Sequence, residues 1–126
     1  GAPYDLQILA AAKQLWLNTI HLHGREVMFS VACEYPGAIL NWHDRESRHS
    51  LEAGLERWSG AVCGGISQEE TLMAGNPRMI RDEAMDAISV TGGGRRLVLG
   101  TGCVAPIVTP YGNLKALREA VDGNAR

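Results

Sequence analysis

Four short apolar runs alternate with longer amphipathic stretches along this chain, and that alternation constrains its fold more than any other feature. The runs lie at residues 17–22, 38–42, 61–65 and 96–100, and the stretches around them repeat their apolar residues at helical spacing. Strands separated by helices are expected to pair in parallel, because a parallel neighbour needs a crossover long enough to hold a helix. The pattern therefore predicts an α/β fold in which four parallel strands alternate with helices. Helices are expected over residues 5–16 and 27–35, after caps at Ser50, Ser67 and Asn76, and after Thr109-Pro110, where Leu114, Leu117 and Val121 are expected to face inward. Gly92, Gly93 and Gly94 are expected to stop the helix that follows Asn76.

Two architectures fit this order of elements. One is a small doubly wound sheet and the other is half of a (β/α)8 barrel, and periodicity does not choose between them. A complete barrel needs roughly 250 residues, whereas the chain has 126 residues. It therefore holds half a barrel at most. The same length predicts a single α/β domain over residues 1–126.

Composition excludes several classes of partner. Twelve basic residues against 14 acidic residues give a net charge of −2, which argues against nucleic acid, because binding to phosphates needs a basic face. No run of 18 or more apolar residues is present, so no membrane span is predicted. The first residues lack the basic flank and apolar core of a signal peptide, and three cysteines cannot all pair. We therefore expect the protein to be located in a reducing cytoplasm.

The reactive side chains concentrate where the predicted strands end, which is where both architectures place an active site. His21 and His23 end the first strand, residues 41–45 end the second, Gly65 ends the third, and Cys103 follows the fourth. The other two cysteines lie on a helix and within a strand, where a free thiol behaves as a small hydrophobic group.

His21 and His23 are two residues apart on a strand, so both imidazoles are expected on the same side. Together with the thiolate of Cys103 they make three ligands, the number that a catalytic zinc site takes from the protein. The alternative is a pair of hydrogen-bonded histidines at a strand end with an inert thiol nearby. Spacing alone favours that alternative.

The segment that ends the second strand, residues 41–45, forms another cluster. A histidine and a carboxylate just past a strand could act as general acid and base, and an arginine could bind a substrate carboxylate. The alternative is a solvated charged loop, which the sequence alone favours. The candidate catalytic residues are His21 and Asp44, and the candidate substrate contacts are Asn41, Trp42, His43, Arg45 and Gly65.

Several motifs taken together resemble the uroporphyrinogen decarboxylase superfamily. Residues 93–106 (GGRRLVLGTGCVAP), followed by Thr109-Pro110 and Asn113-Leu114, resemble its C-terminal end, and residues 20–24, 41–45 and 64–66 precede them in the order of the family. The resemblance covers nearly the whole chain. It implies a (β/α)8 barrel of which this chain is the last four strand–helix units, with the N-terminal half missing.

The superfamily contains at least two chemistries, and the resemblance makes both of them candidates for this chain. Metal-free decarboxylases remove acetate carboxyls from a tetrapyrrole with a histidine in a Leu-Gly-His-Gly motif, and Cys103 stands in the place of that histidine. Corrinoid-linked methyltransferases bind zinc through a His-x-Cys pair and a later cysteine, and the zinc stabilises the thiolate that accepts the methyl group. His21 matches the histidine, His23 replaces the first cysteine, and Cys103 matches the later one.

The resemblance thus favours zinc-dependent methyl transfer to a thiol of a small-molecule substrate, with zinc on His21, His23 and Cys103. One alternative is a decarboxylase without a cofactor, in which His21 and residues 41–45 contact a carboxylated substrate. The other is a half-barrel without catalytic activity that only binds or assembles. An open half-barrel has unpaired sheet edges, so we expect a homo-oligomer or completion by the missing half.

Overall fold

The computed structural model describes residues 1–124, and its centre is one parallel sheet. The strands are β1 (Thr19–Leu22), β2 (Ile39–Trp42), β3 (Ala61–Ile66) and β4 (Leu97–Thr101). They lie side by side in chain order, and each pairs in parallel with the next. A doubly wound sheet reverses its strand order at a switch point, so the sequential order selects the barrel-type arrangement. The predicted α/β fold with four parallel strands is confirmed.

The described part of the chain contains five α-helices. They are α1 (Ala2–Ala11), α2 (Phe29–Ala32), α3 (Leu51–Arg57), α4 (Pro77–Val90) and α5 (Tyr111–Asn124). A 3₁₀ turn at Ala12–Gln14 follows α1, and a π-helical segment at Gln68–Met73 precedes α4. Over residues 1–124, none of the helices has the length and apolar character needed to cross a membrane.

Alternation along the strands divides the sheet into a covered outer face and an open inner face. The outer face packs against α2, α3 and α4 in a core of Phe29, Ala32, Leu40, Trp42, Leu51, Trp58, Val62 and Ala87. A second cluster between the π-helical segment, α4 and α5 contains Ile66, Leu72, Ile80, Ala84, Ala116 and Ala120. The inner face carries one row of register partners, His21, Asn41, Cys63 and Val98.

Local sequence signals account for the starts of the helices that position the site. Ser50 and Ser67 accept backbone N–H groups at the starts of α3 and of the π-helical segment, as their spacing predicts. Asn76 caps α4 and Pro77 fills its first position. Gly92, Gly93 and Gly94 end α4 with positive φ angles that glycine adopts without strain.

Three helix predictions need correction. The helix predicted over 5–16 ends at Ala11, none of its residues is buried, and Trp16 is 91% exposed, because the described sheet stops at β1 and offers no further surface to cover them. The helix predicted over 27–35 is a single turn. Among residues 111–122 of α5 the buried ones are Asn113, Ala116 and Ala120. Of the three residues predicted to face inward, Leu117 is half-buried against the second cluster, whereas Leu114 and Val121 are exposed. The small side chains of Ala116 and Ala120 let α5 pack closely on α4.

Candidate metal centre

Four ligating side chains meet at the carboxyl ends of the strands. His21 lies in β1, His23 directly after it, His43 directly after β2, and Cys103 two residues after β4. One nitrogen from each histidine and the sulfur of Cys103 all lie within 4.8 Å of one another. The structure therefore brings together the three predicted ligands and adds His43, which the sequence analysis placed among the substrate contacts.

Parallel register explains why the three histidines converge. His21 is paired with Asn41. His23 lies two residues after His21, and His43 lies two residues after Asn41. All three rings therefore project from the same side of the sheet. The ring centroids of His21 and His23 are 6.0 Å apart, and those of His23 and His43 are 5.2 Å apart.

Cys103 reaches this group because Gly102 has no side chain. A Cβ atom at residue 102 would lie 2.6 Å from the Cα of His43 and 2.8 Å from the carbonyl oxygen of Trp42. The end of β4 can therefore pass against the end of β2 only with glycine at this position. The sulfur of Cys103 then lies 3.5 Å from Nδ1 of His23.

The side-chain amide of Asn41 contacts the ring of His21. Its Oδ1 lies 2.6 Å from Nδ1 of His21, while its amide nitrogen donates to the carbonyl oxygens of Cys63 at 2.9 Å and Thr101 at 3.1 Å. Because both partners of the amide nitrogen are acceptors, the amide oxygen must face His21. One hydrogen bond therefore joins Nδ1 of His21 to the amide oxygen of Asn41, and Nε2 lies on the opposite side of the ring.

His43 shows the arrangement expected of a metal-binding histidine. It is 7% exposed, and its Nδ1 lies 3.4 Å from a carboxylate oxygen of Glu46. Within residues 1–124, its buried Nε2 has no hydrogen-bond partner. A buried polar atom without a partner destabilises the fold by roughly 1–3 kcal/mol. A metal ion would satisfy this nitrogen, and a carboxylate on the opposite ring nitrogen is the usual outer partner of a metal-bound histidine.

The donor set fits zinc. Imidazole nitrogens and a thiolate are its common protein ligands, and four of them complete a tetrahedron. The residues present thus fit the metal that the resemblance implies.

Asp44, the other candidate catalytic residue, lies next to the cluster but is enclosed. Both of its carboxylate oxygens accept the backbone N–H of Gly65, each at 3.1 Å, and Nε of Arg45 is 3.7 Å away. Burial raises the pKa of Asp44 to about 6, although the Gly65 hydrogen bond and the Arg45 charge both oppose the rise. Its predicted catalytic role stays a prediction.

The remaining candidate substrate contacts are used inside the protein. Trp42 is fully buried, and its indole N–H donates to the carbonyl oxygen of His49. Arg45 donates to the carbonyl oxygen of Gly65 at 2.9 Å and to Asp86 at 2.8 Å, so it joins the end of β2 to β3 and α4. The structure does not bring these side chains into the cluster, and their contact with a substrate stays a prediction.

Sequence reasoning missed the ligand position of His43, its partner Glu46, and the close approach at Gly102. The alternation that paired His21 with His23 also pairs Asn41 with His43, so a signal for His43 was present. Glu46 lies three residues after His43 in the loop beyond β2, where no periodicity applies. The approach at Gly102 depends on contact between strands that are distant in sequence.

Comparison with known proteins places the chain in context. The family model for uroporphyrinogen decarboxylase (URO-D) matches residues 2–123. Among solved structures, a methyltransferase from Methanosarcina mazei is similar, with 26% sequence identity and a TM-score of 0.74. The match covers 93% of this chain and 34% of that chain, so this chain spans about a third of the length of its relative. No curated protein matches the chain.

Proposed function

We propose that this chain, which belongs to the uroporphyrinogen decarboxylase (URO-D) family, holds a zinc ion on His21, His23 and Cys103 and presents it to a thiol that accepts a methyl group. The observation that carries the proposal is the convergence of four donor atoms within 4.8 Å of one another at the carboxyl end of the sheet. The similar methyltransferase supports the choice of reaction class.

Each side chain has a separate task in this proposal. His21 offers Nε2, since its Nδ1 is held by Asn41. Cys103 offers a thiolate. His21 and His23 are the solvent-exposed members of the cluster, so the centre can be approached from their side. His43 would supply a fourth donor when no substrate is bound, because its buried Nε2 is unpartnered in the part of the chain that the structure describes.

When bound, zinc stabilises a substrate thiol as its thiolate, the form of sulfur that attacks a carbon electrophile. The chain itself supplies an open inner face, on which His21, Asn41 and Cys63 form one row beneath the cluster. A small substrate can therefore approach the centre from the side that the helices leave uncovered. A reducing cytoplasm, which we propose as the location, would keep the Cys103 thiol free.

We also propose that residues 1–126 act as one α/β domain that is completed by other strand–helix units. Within residues 1–124, β1 and β4 each pair on one side only, and unpaired edges invite further strands. A second copy of this chain or the other half of a barrel would cover the inner face. Light scattering separates these cases, because a cooperative monomer would count against the pairing of two copies.

Elemental analysis of tag-free protein tests the zinc proposal directly. We expect about one zinc per chain, as a three-ligand or four-ligand site takes, and we expect Cys103→Ser to lose it. Cys63→Ser is the matched control, because Cys63 is another free thiol on the inner face and lies outside the ligand group. Zinc that is absent even after supply to folded protein, or that stays in Cys103→Ser, would contradict the proposal. Loss of a carboxyl from a porphyrinogen in metal-free protein would support the decarboxylase alternative instead.

A further inference from the structure

We infer that Asn41 is the positioning residue of this centre: it fixes His21 as the Nδ1–H tautomer and ties β1 to the end of β4 that carries Cys103. The inference deepens the proposed function. It rests on that function for its metal measurement only, since the tautomer can be observed in metal-free protein.

The side-chain amide of Asn41 contacts three other strands from its place on β2. It accepts from His21 on β1, and it donates to the carbonyl oxygens of Cys63 on β3 and Thr101 at the end of β4. Asn41 is 9% exposed, so its three partners, rather than water, satisfy the amide. Both N–H donors of the side chain are thereby committed to the protein, and donation to a substrate would require one of these two bonds to break.

The tautomer follows from the chemistry of the two groups. A neutral imidazole has one N–H and one lone pair, and an amide oxygen can only accept. The bond at 2.6 Å therefore places the hydrogen of His21 on Nδ1 and the lone pair on Nε2. The Asn41 amide oxygen is thus the group that favours the tautomer with a free Nε2, which is the tautomer able to bind a metal through that nitrogen.

The contact with Thr101 gives Asn41 a second effect. Thr101 is two residues before Cys103 and directly before Gly102, so its carbonyl group lies at the start of the segment that carries the sulfur ligand. One side chain on β2 thus contacts a ligand on β1 and the segment that holds a ligand after β4. Removing an outer partner of a metal ligand commonly weakens metal affinity by about 10–100-fold.

Two substitutions separate these effects. Asn41→Leu keeps a similar volume and removes the acceptor together with both donors. Asn41→Asp keeps an acceptor for His21 but removes the donors to Cys63 and Thr101. Asn18→Leu is the matched control, because Asn18 is another part-buried asparagine, at the amino end of β1, whose amide donates to the carbonyl oxygen of Ala12.

Nitrogen-15 NMR of the histidine rings in metal-free protein at neutral to mildly alkaline pH is the first measurement. We expect the Nδ1–H tautomer at His21 in the unsubstituted protein, in Asn18→Leu and in Asn41→Asp, and its loss in Asn41→Leu. Backbone amide spectra and thermal melts confirm that each variant is folded. A merely structural role for Asn41 would change the melting temperature without changing the tautomer.

Zinc affinity, measured by competition with a chelator, is the second measurement. We expect about 10–100-fold weaker binding in Asn41→Leu, and weaker binding with an unchanged tautomer in Asn41→Asp. An unchanged His21 tautomer in Asn41→Leu would overturn the inference, even if zinc binds. If no variant and no unsubstituted protein binds zinc while the tautomer still depends on Asn41, the proposed function fails and the positioning of His21 stands.

Discussion

Replacing Gly102 with alanine tests the packing that brings Cys103 to the histidines. The added Cβ would lie 2.6 Å from the Cα of His43 and 2.8 Å from the carbonyl oxygen of Trp42. Carbon atoms attract at about 3.5–4.0 Å, so the segments must separate by roughly 0.9 Å to relieve the closest of these contacts. Both neighbouring atoms belong to the backbone, and therefore no side chain can rotate away to make room.

The expected magnitude follows from this geometry. Overpacking of a tight interior usually destabilises a protein by about 1–3 kcal/mol, and we expect Gly102→Ala to lie at the upper end of that range. The separation also moves Cys103 relative to His43, and the four donor atoms lie within only 4.8 Å of one another. We therefore expect zinc affinity to fall by about the 10–100-fold that follows loss of outer support at a metal site.

Gly100→Ala is the matched control for this substitution. Among the described residues, apart from its chain neighbours, a Cβ at residue 100 would meet only the sulfur of Cys63 within 4 Å, at an ordinary contact distance of 3.5 Å. Guanidinium unfolding and chelator competition should show a loss of stability and of zinc affinity in Gly102→Ala and little change in Gly100→Ala. Equal stability and equal zinc affinity in the two variants would refute the steric reasoning.

Three further predictions concern the residues around the centre. Burial raises the pKa of Asp44 to about 6, so this carboxyl keeps its proton to a higher pH in the folded metal-free protein than in the unfolded chain. Between about pH 4 and pH 6, the free energy of unfolding should therefore fall as pH rises. The expected contribution of Asp44 to this fall is roughly 3 kcal/mol. Urea unfolding should show that the fall is absent from Asp44→Asn, and a fall of the same size in the variant would contradict the assignment. Glu46→Gln should weaken zinc binding by about tenfold through His43, as measured by chelator competition, whereas Glu52→Gln, on the exposed start of α3, should leave it unchanged. Asn76→Ala should destabilise the protein by about 1 kcal/mol because it removes the cap from Arg78 and Met79; a thermal melt that matches the unsubstituted protein would show that the cap contributes nothing.

Local patterns were sufficient to predict the elements of the fold but not their arrangement. The four strands, the caps at Ser50, Ser67 and Asn76, and the stop at Gly92 depend on residues within a few positions of one another. The strand order depends on pairing between segments about 20 to 40 residues apart, which periodicity does not encode. The predicted inward face of α5 is correct at Leu117, which packs against the second cluster, but wrong at Leu114 and Val121, because Ala116 and Ala120 occupy the buried positions instead.

The residues of the candidate site are likewise only partly predictable from local sequence. His21, His23 and Cys103 could be proposed as one group because a resemblance supplied the long-range contact that spacing alone does not contain. His43 is predicted as a substrate contact instead, because it stands in a charged segment beside Asp44 and Arg45. Those two side chains instead bind Gly65 and α4, which holds the end of β2 against β3 and so fixes where His43 stands.

The donor set also determines the charge of the proposed centre. One thiolate and neutral imidazoles leave a bound Zn²⁺ with one net positive charge, whereas a second thiolate in place of His23 would leave it neutral. A more positive centre ionises a thiol at lower pH, but the nucleophilicity of a thiolate falls as its pKa falls. Glu46, whose carboxylate lies 3.4 Å from His43, offsets part of the added charge. In the proposed centre the loop beyond β2 would supply both a fourth donor, His43, and a carboxylate counter-charge, Glu46, which also faces Arg25 at 3.6 Å.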